Sequence, residues 1–165
     1  MRIQLKHHAP SGEIRAWTLK EIVQGKPLDR PSHPMVVHFP IAFYTGALAF
    51  DVLSRLGRFP SAPLAATWLI LGAFAGTALA VPTGLVDRSI MRPGTQARIV
   101  ATRHMLIQFA AAAIFVVNAV ARWSNRHAAR SGFLWIVLDV VGVLLVTIGA
   151  DLGGRLVYKM GFRVG

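Results

Sequence analysis

Four apolar stretches, at about 34–55, 63–86, 104–123 and 132–152, dominate this 165-residue sequence. Each reaches the roughly 20 residues that a helix needs to cross about 30 Å of hydrocarbon. Lipid offers the backbone no hydrogen-bond partners, so only helices and closed barrels span it. None of the stretches alternates polar and apolar residues as a barrel strand does. The chain is therefore expected to be all-α: an integral membrane four-helix bundle over 34–155, with a leading segment 1–33 and a tail 156–165. Only 15% of the residues are charged, against about 25% in an average soluble chain.

The charge that is present is mostly positive, with a formal net charge of +11. In a soluble protein this would suggest nucleic acid, but no nucleic-acid-binding motif accompanies it. Basic residues flanking membrane spans account for it instead, beside anionic lipid heads. The leading segment, the connection between spans two and three, and the tail carry thirteen Lys and Arg; the other two connections carry five. The positive-inside rule then puts both termini in the cytoplasm. No signal-peptide core precedes the first span, so the N-terminus is expected to be retained. Within the leading segment, "TLKE" has the form of a capping box, Thr18 as N-cap and Glu21 at N3. A short interfacial helix follows, ending at Gly25 and Pro27, with Trp17 at the membrane boundary.

The first span opens with unusual chemistry, "HPMVVHFPIAF" at 33–43. His33 precedes a proline and is expected just outside the helix. Pro34 suits the first turn. Pro40 deletes a hydrogen bond to the Val36 carbonyl and should kink the span near His38. His104 enters span three at the same level, with Gln108 one turn deeper. Ionisable groups inside a membrane are costly and mark candidate function. His38 and His104 are thus the candidate metal ligands, with His33 as substitute for His38, and bis-histidine ligation of haem iron is the chemistry that suits them. Small residues follow each histidine on its face: Ala42, Thr45 and Ala49 after His38, Ala111 and Ala112 after His104. Arg88, Arg103 and Arg155 stand at the same level as candidates to bind the propionates. Cysteine is absent, which removes thiolate ligation and covalent haem attachment, so any haem is b-type.

A second explanation of the same residues needs no cofactor. Small residues on membrane helices serve close packing, and Gly72, Gly76, Ala80, Gly149 and Gly153 fit that role. Histidines near helix ends can simply bond a neighbour, and His7, His8 and His127 are expected to be solvated. Towards the other membrane face, Asp51, Asn118 and Asp139 form a deeper polar layer. They suit interhelical bonds to Arg55 and Arg122, or, together with Asp151, an ion or proton path. No convincing internal repeat is evident.

The pieces "GKPL", "HPMVVHFPIA", "TGLVDR", "RHMLIQ" and "GADLGGRLVYKMGFRV" occur in order over residues 21 to 164. In this combination the chain resembles a family of small bacterial membrane proteins, domain of unknown function two-two-three-one. The resemblance implies a four-helix membrane bundle in the bacterial cytoplasmic membrane. It also implies an electron-transfer setting, since such domains are sometimes joined or adjacent to Rieske-type or sugar-dehydrogenase-type modules. These 165 residues carry no such module, so electrons are expected from another polypeptide, the quinone pool or a soluble carrier. The reading of the chain is a haem b electron-transfer subunit without catalytic activity of its own. It contacts lipid, other membrane subunits or further copies of itself, and quinone, but no nucleic acid. The alternative is a cofactor-free structural or accessory subunit of a respiratory or photosynthetic complex.

Overall fold

The computed structural model describes residues 6–8, 14–57 and 59–163. A two-stranded antiparallel ribbon, β1 (Lys6–His8) and β2 (Ile14–Ala16), opens the chain. Helices follow: α1 (Leu19–Val23), α2 (Ser32–Val36), α3 (His38–Leu56), α4 (Ala62–Ser89), α5 (Gln96–Arg122) and α6 (Phe133–Tyr158). The ribbon was not expected from the sequence. Arg2 and Arg58, counted above, lie outside the described residues, as do the side chains of His7 and His8.

Four segments are long and apolar enough to cross a membrane: Ser32–Leu56, Ala62–Ser89, Gln96–Asn125 and Phe133–Tyr158. α3 packs along α4 and α5 along α6, forming two antiparallel hairpins that meet side by side. α1, the start of α2 and the end of α6 lie at the same end of the bundle, the terminal end, where Arg163 meets Gln24 and Asp87. The packing obeys membrane logic. Small residues lie inside, with Ala47, Ala66 and Ala73 fully buried, while Trp68, Leu79, Val120 and Phe133 are more than half exposed. Where lipid is as apolar as leucine, close backbone approach holds the helices together. At mid-depth Tyr44 stacks on Phe115 with ring centres 3.8 Å apart. A Cβ at Gly142 would come within 2.5 Å of the Phe115 ring, so only glycine lets α6 approach.

The helices exceed the apolar stretches at several ends. α5 starts at Gln96, two turns ahead of the expected span, because Thr95 caps it by accepting from the Arg98 N–H. α6 runs on through Gly153 and Gly154 to Tyr158. The first span is divided at Val37 into α2 and α3, just ahead of Pro40. His33 lies within α2 rather than outside it. The first turn of a helix needs no internal N–H bonds, so Pro34 is tolerated there. The His33 side chain is also anchored on α4, as described below.

The capping box forms as expected. The Thr18 hydroxyl accepts from the Glu21 N–H at 3.3 Å, and the Glu21 carboxylate accepts from the Thr18 N–H at 3.0 Å. The Thr18 backbone N–H, the Thr18 hydroxyl and the Lys26 ammonium hold the Glu21 carboxyl down at about 2, with burial opposing them and Arg15 assisting. Gly25 follows at φ 80°, and a Cβ there would lie 2.0 Å from the Arg30 carbonyl oxygen. No other residue type fits that turn.

Candidate functional site

Two imidazoles face each other at the terminal end. The rings of His33 on α2 and His104 on α5 have centres 6.2 Å apart and planes crossed at 88°. Each is held by the neighbouring long helix of its own hairpin. His33 Nδ1 lies 3.1 Å from the Ala80 carbonyl oxygen and 3.1 Å from the Thr83 hydroxyl, on α4. His104 Nδ1 lies 2.7 Å from the Gly149 carbonyl oxygen, on α6. A carbonyl only accepts, so each Nδ1 carries the proton. No hydrogen bond reaches either Nε2 among the described residues. The Nδ1–H to carbonyl bond is the usual way a protein fixes the tautomer and direction of a metal-binding imidazole.

Glycines make room for both rings. A Cβ at Gly84 would stand 2.9 Å from His33 Cε1, and one at Gly153 would stand 3.3 Å from His104 Cε1. Around the rings opens a cavity of about 570 Å³, within the usual range for small-molecule and cofactor sites. Its wall is mainly apolar, including Ile41, Ala80, Met105, Ala112 and Val146, with Tyr44 and Thr77 also lining it. Asp87, Arg88 and Arg163 contribute its charged groups. Arg163 donates to Asp87 at 2.6 Å and to the Gln24 carbonyl at 3.2 Å. One guanidinium thereby ties the tail, the end of α4 and the leading segment together.

Residues 29–165 match the model of a family described as predicted membrane protein, DUF2231. The chain belongs to this family. No curated protein and no solved structure matches it.

In this DUF2231 chain the sequence-predicted site residues are distributed unevenly. His104 is at the centre, and the ring that meets it is that of His33, the substitute in the sequence reading. His38 is exposed and lines the cavity, but it makes no ring contact with His104 among the described residues. Arg88 lines the cavity and its Nε donates to the Thr102 hydroxyl at 3.0 Å. Arg103 and Arg155 do not line it; Arg103 is exposed, and Arg155 pairs with Asp151 at 2.8 Å on the surface. Arg163, which the sequence reading did not select, lines the cavity instead. It adopts φ 62° in the turn after α6, a conformation that side-chain pattern alone does not reveal. Among the described residues no cluster of three or more His, Cys, Asp or Glu exists that could hold a metal ion.

The deeper polar layer of the DUF2231 chain closes the opposite end of the bundle. Asp51, Ser54, Asn118, Arg122, Ser131 and Asp139 are all fully buried. The Arg122 guanidinium pairs with the Asp51 carboxylate, reaches Asp139 at 3.4 Å, and donates from Nε to the Asn118 carbonyl at 3.1 Å. Asn118 in turn donates to Asp139 and to the Trp135 carbonyl, at 3.0 Å for the latter. Ser131 gives its hydroxyl proton to Asp51 at 2.7 Å. This is the interhelical bonding foreseen for these residues, with Arg122 rather than the exposed Arg55 as the cation. It joins α3, α5 and α6.

Proposed function

We propose that this protein is a membrane electron-transfer subunit in which His33 and His104 ligate the iron of a b-type haem. The observation that carries the proposal is the pair of imidazoles, each oriented through Nδ1 by a backbone carbonyl and with no hydrogen bond at Nε2 among the described residues, on the wall of an apolar cavity. The spacing supports it. Two imidazoles that are to hold one group between them must stand close together on different helices. The ring centres here are 6.2 Å apart. A haem held this way supplies one-electron redox chemistry. The chain's own residues do the rest: the Ala80 and Gly149 carbonyls orient the ligands, the apolar wall excludes water, and Arg88 and Arg163 are the cations placed to meet propionates. Arg103 and Arg155 lie off the cavity and have a smaller part in this reading.

The electron partner is quinone or a larger redox complex, consistent with a site at membrane depth. The lysine and arginine distribution supports placement in the bacterial cytoplasmic membrane with both termini inside.

Substitution of each histidine tests the ligand set. Full-length protein purified in detergent from haem-replete cells should show a Soret band. His33→Ala and His104→Ala should each abolish or shift it, whereas His38→Ala should retain it. Loss of colour in His38→Ala with retention in His33→Ala would refute this ligand pair. Colourless parent protein co-migrating with a large membrane complex would favour the cofactor-free accessory subunit.

A further inference from the structure

The sequence shows no evident repeat, yet the contacts across the bundle repeat. His33 meets His104, Tyr44 stacks on Phe115, and Asp51 pairs with Arg122; in each pair the two residues are the same 71 positions apart. The partners on the long helices repeat too. His33 bonds the Ala80 carbonyl and lies against Gly84; His104 bonds the Gly149 carbonyl and lies against Gly153. Ala80 and Gly149 are 69 positions apart, as are Gly84 and Gly153. Parallel helices packed in register also give a constant offset, but an approximate two-fold axis repeats the anchoring carbonyl and the glycine on the partner helices as well. The three pairs descend from the terminal end to the opposite end. The axis therefore runs along the bundle between the α3–α4 and α5–α6 hairpins.

We infer that the imidazole site consists of two equivalent half-sites, and that Gly84 and Gly153 are its positioning residues. Each hairpin contributes an imidazole, the carbonyl that accepts its Nδ1–H hydrogen bond and, four residues further along, the glycine on which the ring rests. Such a site suits a ligand with two equivalent faces, the iron of a planar tetrapyrrole taking one imidazole on each side. It also accounts for His38 standing apart, since its counterpart 71 positions on is Phe109. The inference rests on the haem reading for its ligand. The crossing of the rings is the property the glycines control: a methyl group at Gly84, 2.9 Å from its ring, displaces that ring against its carbonyl, and one at Gly153, at 3.3 Å, shifts its ring by a few tenths of an ångström. Such a displacement reduces the crossing of the planes and weakens the hydrogen bond that raises ligand basicity.

The test is low-temperature electron paramagnetic resonance of the ferric, haem-loaded full-length protein. Crossed imidazole planes give a strongly anisotropic low-spin signal, and less crossed planes give an ordinary rhombic one. The parent is expected to show the anisotropic signal. Gly84→Ala and Gly153→Ala are both expected to keep the Soret band and move the signal toward the rhombic form, more so for Gly84→Ala. Gly46→Ala, where a Cβ meets only Leu69, should leave it unchanged. Signals unaffected in both glycine variants, or affected in one alone, would overturn the equivalence while leaving the haem in place. If either variant fails to accumulate, His33→Met and His104→Met serve instead. Equivalent half-sites predict the same mixed His–Met spectrum from both, and two unlike spectra overturn the inference. Colourless parent protein would overturn the haem reading itself, and the half-sites with it.

Discussion

Arg122 is the residue whose removal should damage the fold most. Its guanidinium is fully buried, pairs with Asp51, lies 3.4 Å from Asp139 and 3.1 Å from Asn118, and sits 5.1 Å from the centre of the Trp135 ring. Arg122→Met keeps much of the volume and removes every one of these bonds. It leaves the Asp51 carboxylate without its cation in a site closed to water, and Asn118 and Asp139 without the guanidinium contact. Breaking a buried ion pair by deleting one partner costs about 3–5 kcal/mol. At about 1.4 kcal/mol per factor of ten, that is roughly two to four decades in the folded-to-unfolded ratio. Replacing all the charges together should be milder, because no buried charge is then left uncompensated. The triple variant Arg122→Met, Asp51→Asn, Asp139→Asn should therefore recover most of the loss. Reversible unfolding by titration of a denaturing detergent into mild micelles, followed by circular dichroism, measures both. An Arg122→Met protein within about 1 kcal/mol of the parent would refute the reasoning, because that falls below the cost of an unpaired buried charge. A triple variant no better than the single would refute it equally.

Two further outcomes follow from the terminal end and the overall orientation. The Glu21 carboxyl has its ordinary value of 4.5 lowered to about 2, so its contribution is present above 4.5 and is lost as pH falls toward 2. Hydrogen exchange should show α1 losing protection across that window, and Glu21→Gln should flatten the dependence; protection unchanged down to pH 2 in the parent would contradict the capping account. Because the chain has no cysteine, single cysteines can report topology without background: Ser124→Cys should label from outside intact cells and Lys159→Cys only after lysis, and the reverse pattern would invert the proposed orientation.

How much of this was legible in the sequence depended on whether the decisive term was local. The four spans were, because length and hydropathy alone satisfy the lipid requirement. The "TLKE" box was, because its bonds join residues three apart. Asp51, Asn118 and Asp139 could be grouped by depth, and Arg122 was one of two cations within reach. His33 was harder. The rule for residues before proline placed it outside the helix, while the contacts that hold it come from Ala80 and Thr83, 47 and 50 residues away. Backbone carbonyls carry no residue signature, so the anchors of both imidazoles were invisible. The two-fold pattern was hidden for a different reason. Between positions 33–51 and 104–122 only His33/His104 and Ala42/Ala113 keep the same residue, and membrane packing accepts many small or apolar substitutes at the others. Arg163 escaped because its role depends on a left-handed turn after α6.

The central claim is that a redox-active metal group sits between two histidines, and one optical measurement addresses it most directly. Reduced-minus-oxidised absorbance of the purified full-length protein, paired with a pyridine haemochrome assay, should give sharp split α and β bands and one haem b per chain. A colourless protein from haem-replete cells, or pigment retained after both His33 and His104 are replaced, would contradict it.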